Sequence, residues 1–282
     1  MNTKLKQSLT GAAFLLSVSA VQAAISCNIS SPGFINGYDN TIQNSNQTYY
    51  SITCARNDNV NDPLTTSFAV TVSDGSNANG TNNRAISSTN NFIRYDMFTN
   101  SACSTAWKGT KTIPISPEII TMSGIAPTTV TRNFWGCINA TLNPTAGIYT
   151  DRVIMMPTYS ANVLGDVGTF PVKIITPATC TISPIPNLTL AYGDAFRLTP
   201  ATATTSAPMT CSNQLPYTID VSPSSGVSAG IFYTLSLPAS ATGTGAIQNI
   251  PITATAPAGQ AGTCTTGTCT GLPQPHTLTV TY

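Results

Sequence analysis

The stretch PHTLTVTY, Pro275–Tyr282, decides how the rest of the chain is read. Leu278, Val280 and Tyr282 alternate with Thr277, Thr279 and Thr281. A two-residue period of β-favouring side chains predicts a strand with one buried face. Such a strand has two edges, and neighbouring sequence must account for both. The stretch GIYTDRVIMMPTY, Gly147–Tyr159, has the same phase: Asp151, Val153, Met155 and Tyr159 match His276, Leu278, Val280 and Tyr282. It is followed by SANVLGDVGTFPVKIIT, Ser160–Thr176, where Phe170, Val172 and Ile174 alternate. That is room for a turn and one more strand. Tyr282 has no such sequel, so the expectation is a first sheet that completes itself and a second that lacks its last strand. An unpaired edge, here Leu278, Val280 and Tyr282, invites a strand from another chain. The alternative is a second sandwich with a different strand order, complete in itself.

The two strands belong to a longer repeat. AISCNISSPGFINGYDN (Ala24–Asn40) followed by YYSITC (Tyr49–Cys54) corresponds to ATCTISPIPNLTLAYGDAF (Ala178–Phe196) followed by APMTC (Ala207–Cys211). Each has a Cys in a β-like run, a Tyr-containing turn and a second Cys closing another run. FAVTVSDG (Phe68–Gly75) and YTIDVSPSSG (Tyr217–Gly226) continue the match. One module is therefore used twice. The predicted seam near Thr176 and Pro177 gives a first domain at 24–176 and a second at 177–282, each long enough for its own sandwich core.

Composition sets the compartment and class. Lys4 and Lys6, the apolar run Leu9–Val21 and VQA at Val21–Ala23 predict a secretion signal over 1–23. With its two lysines removed, nine Lys+Arg face ten Asp+Glu. Charged residues make up 7% of the chain, and no basic run predicts nucleic acid, a polyanion or an anionic membrane as partner. Thr-rich alternating segments punctuated by Pro and Gly predict an all-β protein. Eight cysteines in an exported chain predict four disulfides, although sequence alone does not fix the pairing. The repeat suggests Cys27–Cys54 and Cys180–Cys211, leaving Cys103 with Cys137 and Cys264 with Cys269. CTTGTC, Cys264–Cys269, has loose spacing for a metal site and only His276 nearby, so a short loop bridge is the expectation.

The early Cys pair, Asp74-Gly75 after a strand, Arg84 ahead of FIRYDMF (Phe92–Phe98), Trp107, and the GxYxDxV pattern at Gly147–Val153 occur in a fixed order. Together they resemble the spore coat protein U domain family, whose members include pilins of archaic chaperone–usher pili. The resemblance covers most of Ala24–Tyr159 and, more weakly, Cys180–Tyr282. It implies two immunoglobulin-like β-sandwiches, the second lacking its last strand and completed by the donor strand of another subunit. It also implies a periplasmic chaperone and an outer-membrane usher as partners. Shaft pilins of the family begin with an alternating apolar donor extension, whereas only Ala24, Ile25 and Ser26 precede Cys27 after the expected cleavage. A chain that accepts but does not donate a strand belongs at a fibre tip, exported through the periplasm to the cell surface. The expectation is therefore a tip adhesin for an unknown surface or host ligand. An internal minor subunit and a secreted coat or matrix protein are the alternatives.

Catalysis is not expected. The chain has one histidine, His276, and one glutamate, Glu118, and it carries neither GxSxG nor HExxH. No cofactor is implied. For adhesion the first candidate is PEIITMSGIAPTTV, Pro117–Val130, read as an irregular or hairpin loop bounded by Pro117 and Pro127 and broken by Gly124. Its candidate contact residues are Ile119, Ile120, Met122 and Ile125; in an extended stretch, Ile119 and Ile120 cannot both face the core. The second candidate is NVLGDVG, Asn162–Gly168, with Val163 and Leu164.

Overall fold

Alternation of buried and exposed side chains runs through the longer strands of this molecule, and hydroxyl-bearing residues fill many of the outward positions. The structure, a computed structural model, describes residues 25–39, 42–108, 113–139, 143–160, 163–263 and 271–282. The expected signal at 1–23, and Cys264 and Cys269 with their expected bridge, lie outside the described residues. The described elements are all strands.

The first twelve are β1 (Ile25–Ser30), β2 (Phe34–Gly37), β3 (Asn44–Arg56), β4 (Thr65–Val72), β5 (Arg84–Ser87), β6 (Phe92–Arg94), β7 (Asp96–Phe98), β8 (Ile113–Thr121), β9 (Thr128–Ile138), β10 (Gly147–Tyr159), β11 (Val163–Gly165) and β12 (Gly168–Thr176). They form one sheet in the order β11-β1-β3-β9-β7 and another in the order β2-β12-β10-β4-β8, with β5 and β6 added beside β10. Side chains of both sheets meet in one buried cluster, so the pair is a sandwich. Trp107 sits inside it, donating from Nε1 to the Val70 carbonyl at 2.9 Å. It stacks on Tyr50 at 5.6 Å and meets Phe134 edge-on at 5.0 Å. Phe134 in turn touches Phe170 of β12 at 5.3 Å. β12 is thus part of the aromatic core.

The remaining strands are β13 (Cys180–Ile182), β14 (Ala201–Cys211), β15 (Pro216–Ser222), β16 (Ser225–Ser228), β17 (Ile231–Ser236), β18 (Ser240–Thr242), β19 (Ile247–Ala256) and β20 (Thr277–Thr281). Their sheets run β13-β14-β19-β17-β16 and β18-β15-β20. A second, smaller cluster joins them through Met209, Ile250 and Ile252 on one side and Tyr217 and Ile219 on the other. The two pairs of sheets touch where Asn213 donates to the Asn143 carbonyl at 3.0 Å and Asn143 to that of Thr244 at 3.0 Å.

The Thr-rich composition has a structural use. On the solvent face, Ser51 pairs with Thr131 at 2.9 Å and Thr53 with Thr129 at 2.8 Å across β3 and β9. Cross-strand hydroxyl pairs stabilise a sheet without charge. Disulfides Cys27–Cys54 and Cys180–Cys211 tie the first strand of each sandwich to its neighbour, and Cys103–Cys137 anchors the segment after β7 to β9.

One expectation is corrected. Pro117–Val130 is not an irregular loop: β8 continues to Thr121 and β9 starts at Thr128, leaving a short turn between. Pro117 is tolerated because β8 is an edge strand, and its register shifts between Phe68 and Val70 opposite the Pro114–Pro117 stretch.

Candidate functional site

Two regions of the fold offer themselves to a partner. The first is the edge of β20. β20 pairs with β15 from Thr277↔Ser222 to Thr281↔Thr218 and stands last in its sheet. Its other edge has no partner strand among the described residues. Leu278 and Val280 point toward the small core but stay half-buried, and Tyr282 beyond the strand is exposed. The matching strand in the first sandwich, β10, is covered. β12 pairs with it antiparallel from Gly147↔Thr176 to Met155↔Gly168, and β2 then pairs parallel with β12. Tyr149, Val153 and Met155 of β10 are consequently fully buried.

The segment after β13 shows the same asymmetry. In the first sandwich the chain leaves β1, crosses to the opposite sheet and forms β2 against β12. In the second, Ser183 still donates to the Pro208 carbonyl at 2.9 Å, and Thr205 to that of Pro186 at 3.1 Å. No strand follows until Ala201, although Leu188, Leu190 and Tyr192 alternate and are half-buried. β2 exists because β12 gives it an edge to pair with; residues 183–200 have no such edge.

The second region is one end of the first sandwich, where residues 57–64, 122–127 and 163–167 gather. The ladders fix this gathering. Thr65 faces Thr121, Cys54 faces Thr128, and Ile25 pairs with both Arg56 and Val163. Met122 also donates to the Leu64 carbonyl at 2.7 Å. Val60 is 85% exposed, Leu64 56%, Ile125 60%, Leu164 65% and Val167 66%. Exposed apolar side chains gathered at one end make this a candidate interaction surface.

The turn 57–64 is stiffly built. Asp58 accepts from the amide of Val60 at 2.7 Å and that of Asn61 at 3.3 Å. Asp62 accepts from the amides of Asn57 at 2.7 Å and Asp58 at 2.5 Å. Buried Arg56 donates to the Asn59 and Asp62 carbonyls at 2.7 and 2.6 Å. The backbone amide of Val60, helped by Asn61, holds the Asp58 carboxyl below the usual carboxylate range. Within 163–167, Tyr159 lies so close to Gly165 that a Cβ there would fall 2.0 Å from its ring. Burial pushes the Tyr159 phenol up to about 12.

The sequence candidates divide between surface and core. Ile119, Ile125 and Leu164 are exposed, and Val163 is half-buried against the core. Ile120 and Met122 are corrected: both are buried, at 1% and 0%, because alternation in β8 turns them inward when it turns Ile119 outward. Sequence reading missed Val60 and Leu64, and it did not single out Val167 within the Asn162–Gly168 candidate. The available signal was an apolar residue stranded among turn formers, as in NDNVNDP, Asn57–Pro63.

His276 is occupied structurally, with Nε2 2.8 Å from the Tyr233 hydroxyl and Nδ1 2.6 Å from the Pro223 carbonyl. Among the described residues no group of three or more His, Cys, Asp or Glu is placed to hold a metal.

No curated protein matches the sequence. Solved structures with similar folds include the CsuC–CsuE chaperone–tip adhesion subunit complex of Acinetobacter baumannii, at 14% identity over 91% of this chain and 97% of that one, with TM-score 0.42. The CupB6 tip adhesin of Pseudomonas aeruginosa matches at 10% identity over 84% and 89%, with TM-score 0.43. The CooA pilin of enterotoxigenic Escherichia coli matches at 12% identity over 53% and 97%, with TM-score 0.34. The model of the spore coat protein U domain matches residues 12–156, just over half of the 282, and spans the buried Trp107 and the β10 motif. The chain belongs to the spore coat protein U domain family.

Proposed function

We propose that the chain is a subunit of a chaperone–usher pilus, acting as a two-domain adhesin at the fibre tip. Residues 24–176 form the adhesive domain and 177–282 the domain that joins the fibre. The observation that carries this reading is the contrast between β10, covered by β12, and β20, whose second edge is unpaired among the described residues. A donor strand from the next subunit completes the second sandwich. Before assembly a periplasmic chaperone covers the same edge and an outer-membrane usher receives the complex. The apolar turns at the end of the first sandwich are the attachment face, supporting adherence and biofilm growth at the cell surface.

β12 indicates what the donor should look like. It spans nine residues and buries Phe170, Val172 and Ile174 at alternate positions. Three or four such side chains contribute about 1.5–3 kcal/mol each before ordering costs. The test is a nine-residue segment with that pattern, fused after Tyr282 through a flexible linker. The fusion is expected to raise the melting temperature of the second domain by several degrees and to suppress aggregation of the full chain. An unchanged melting transition, with the unfused chain monomeric and folded, would sink the strand-acceptor reading.

A further inference from the structure

The outer face of the β5–β6 hairpin carries an arrangement that the linear order of residues conceals. Arg84 and Arg94 stand directly opposite each other in the ladder, flanked by the buried pair Ala85 and Ile93. Both arginines therefore point to solvent on the same face. One pair further along, Ile86 faces Phe92. β5 joins β10 through Ile86↔Thr150, and Thr150 also faces Lys173 of β12. Arg152, two residues past Thr150, lies on this outer face too, donating to Thr169 at 2.9 Å. Arg84 donates to the Asn77 carbonyl at 3.0 Å and lies 5.2 Å from the centre of the half-exposed Phe92 ring. Four cations thus share one face across β12, β10, β5 and β6.

Nearby carboxylates do not neutralise them. Asp96 pairs with Lys108 at 3.3 Å. Asp151 is turned inward, accepting from the Tyr95 hydroxyl at 2.7 Å. Asp74, in the turn after β4, makes no ion pair with any of the four. The ion pairs among the described residues are Lys108–Asp96 and Arg132–Glu118. Like charges directly opposite each other weaken a ladder. In a chain with 7% charged residues, the arrangement gathers a large share of the cations where they repel.

We propose that this face binds an acidic polysaccharide through its carboxylate or sulfate groups. Four strands at ~4.8 Å spacing set the outer cations about 14 Å apart, the reach of a short run of sugars. The arginine forks of Arg84 and Arg94 suit planar or tetrahedral oxyanions. Phe92 beside them offers an apolar ring to a sugar face. Four cations on a chain without basic surplus are too few for strong duplex DNA binding at physiological salt. This inference does not rest on the pilus reading, and the face is separate from the apolar turns.

The experiment measures binding of the full chain to a heparin fragment, an oligogalacturonate and a DNA duplex at low and physiological salt. Binding to either glycan is expected, weakening with salt, and the preferred one identifies sulfate or carboxylate. Arg84→Gln with Arg94→Gln should weaken it about tenfold and flatten its salt dependence, whereas Arg197→Gln in the second sandwich should leave it unchanged. The double variant loses the Arg84 bond to the Asn77 carbonyl and its contact with Phe92 as well as the repulsive pair, so its fold is checked by its melting temperature. Arg94 makes no hydrogen bond among the described residues, so Arg94→Gln alone, with a roughly threefold loss, serves if the double variant unfolds. No glycan binding at low salt, equal binding by the variants, or DNA binding at least as tight as either glycan overturns the proposal.

Discussion

Replacing Val60, Ile125 and Leu164 with serine tests the apolar end of the first sandwich. All three are more than half exposed, so their loss leaves little or no cavity. Surface substitutions of this kind usually change stability by less than ~0.5 kcal/mol each. Their effect on attachment is larger. Covering one such side chain with an apolar surface yields about 1–2 kcal/mol after allowing for partial exposure in the bound state. Three together amount to roughly 3–6 kcal/mol, or about two to four decades in the attachment constant. The assay pairs adsorption of the full chain to a hydrophobic and a hydrophilic surface with a thermal melt. The expected result is lost adsorption on the hydrophobic surface with an unchanged melt. Ile120→Ser and Met122→Ser provide the contrast, since each empties a fully buried position and should cost ~3–5 kcal/mol of stability. Undiminished adsorption by a normally folded triple variant would refute the reasoning. An unfolded triple variant would show that these turns serve the core.

Two further predictions concern the scaffold. Gly75 has φ +83° and approaches Asp151 so closely that a Cβ would fall 2.1 Å from Oδ2; Gly75→Ala should displace the Tyr95–Asp151 pair and cost at least ~2 kcal/mol, read from a denaturant midpoint. Asp58 has its folded pKa lowered by the amides of Val60 and Asn61, so the order it gives the 57–64 turn is present above the ordinary carboxylate range and is lost as pH falls through the lowered value. Hydrogen exchange at the Val60 amide should accelerate over that acid window, and an Asp58→Ala variant should lack the pH step.

Legibility followed the period of two. The alternation in Gly168–Thr176 pointed to β12, and the matched phases of Asp151–Tyr159 and His276–Tyr282 paired β10 with β20. The Cys repeat was readable because Cys27 and Cys54, like Cys180 and Cys211, sit directly opposite each other in ladders. Turns were less legible. Pro117 looked like a breaker, yet an edge strand with a register shift absorbs it. Val60 was passed over because its neighbours Asn59 and Asn61 read as a polar loop, while its exposure depends on backbone amides bonded to Asp58 and Asp62. The cation face was invisible for another reason. Arg84, Arg94, Arg152 and Lys173 are spread over ninety positions of sequence and meet only through the registers of three ladders.

The strand that makes the two sandwiches unequal also orients the first. β12 begins at Gly168, against the apolar turns, and ends at Thr176, where the chain passes to β13. At ~3.3 Å per residue its nine residues separate these points by about 26 Å. The apolar turns therefore lie at the end of the first sandwich remote from the passage to the second, and β20 lies beyond that passage. Phe170 fixes β12 in place, since withdrawing it would remove a fully buried ring in contact with Phe134 from the aromatic core. By the cost of emptying such a site, about 3–5 kcal/mol for the ring alone, the first sandwich is a poor acceptor for a foreign strand. Under the proposed strand-accepting role, exchange would fall to the half-buried Leu278 and Val280 of the second sandwich, while the first keeps its apolar turns free. A molecule built this way can be held at one end and can touch a surface at the other.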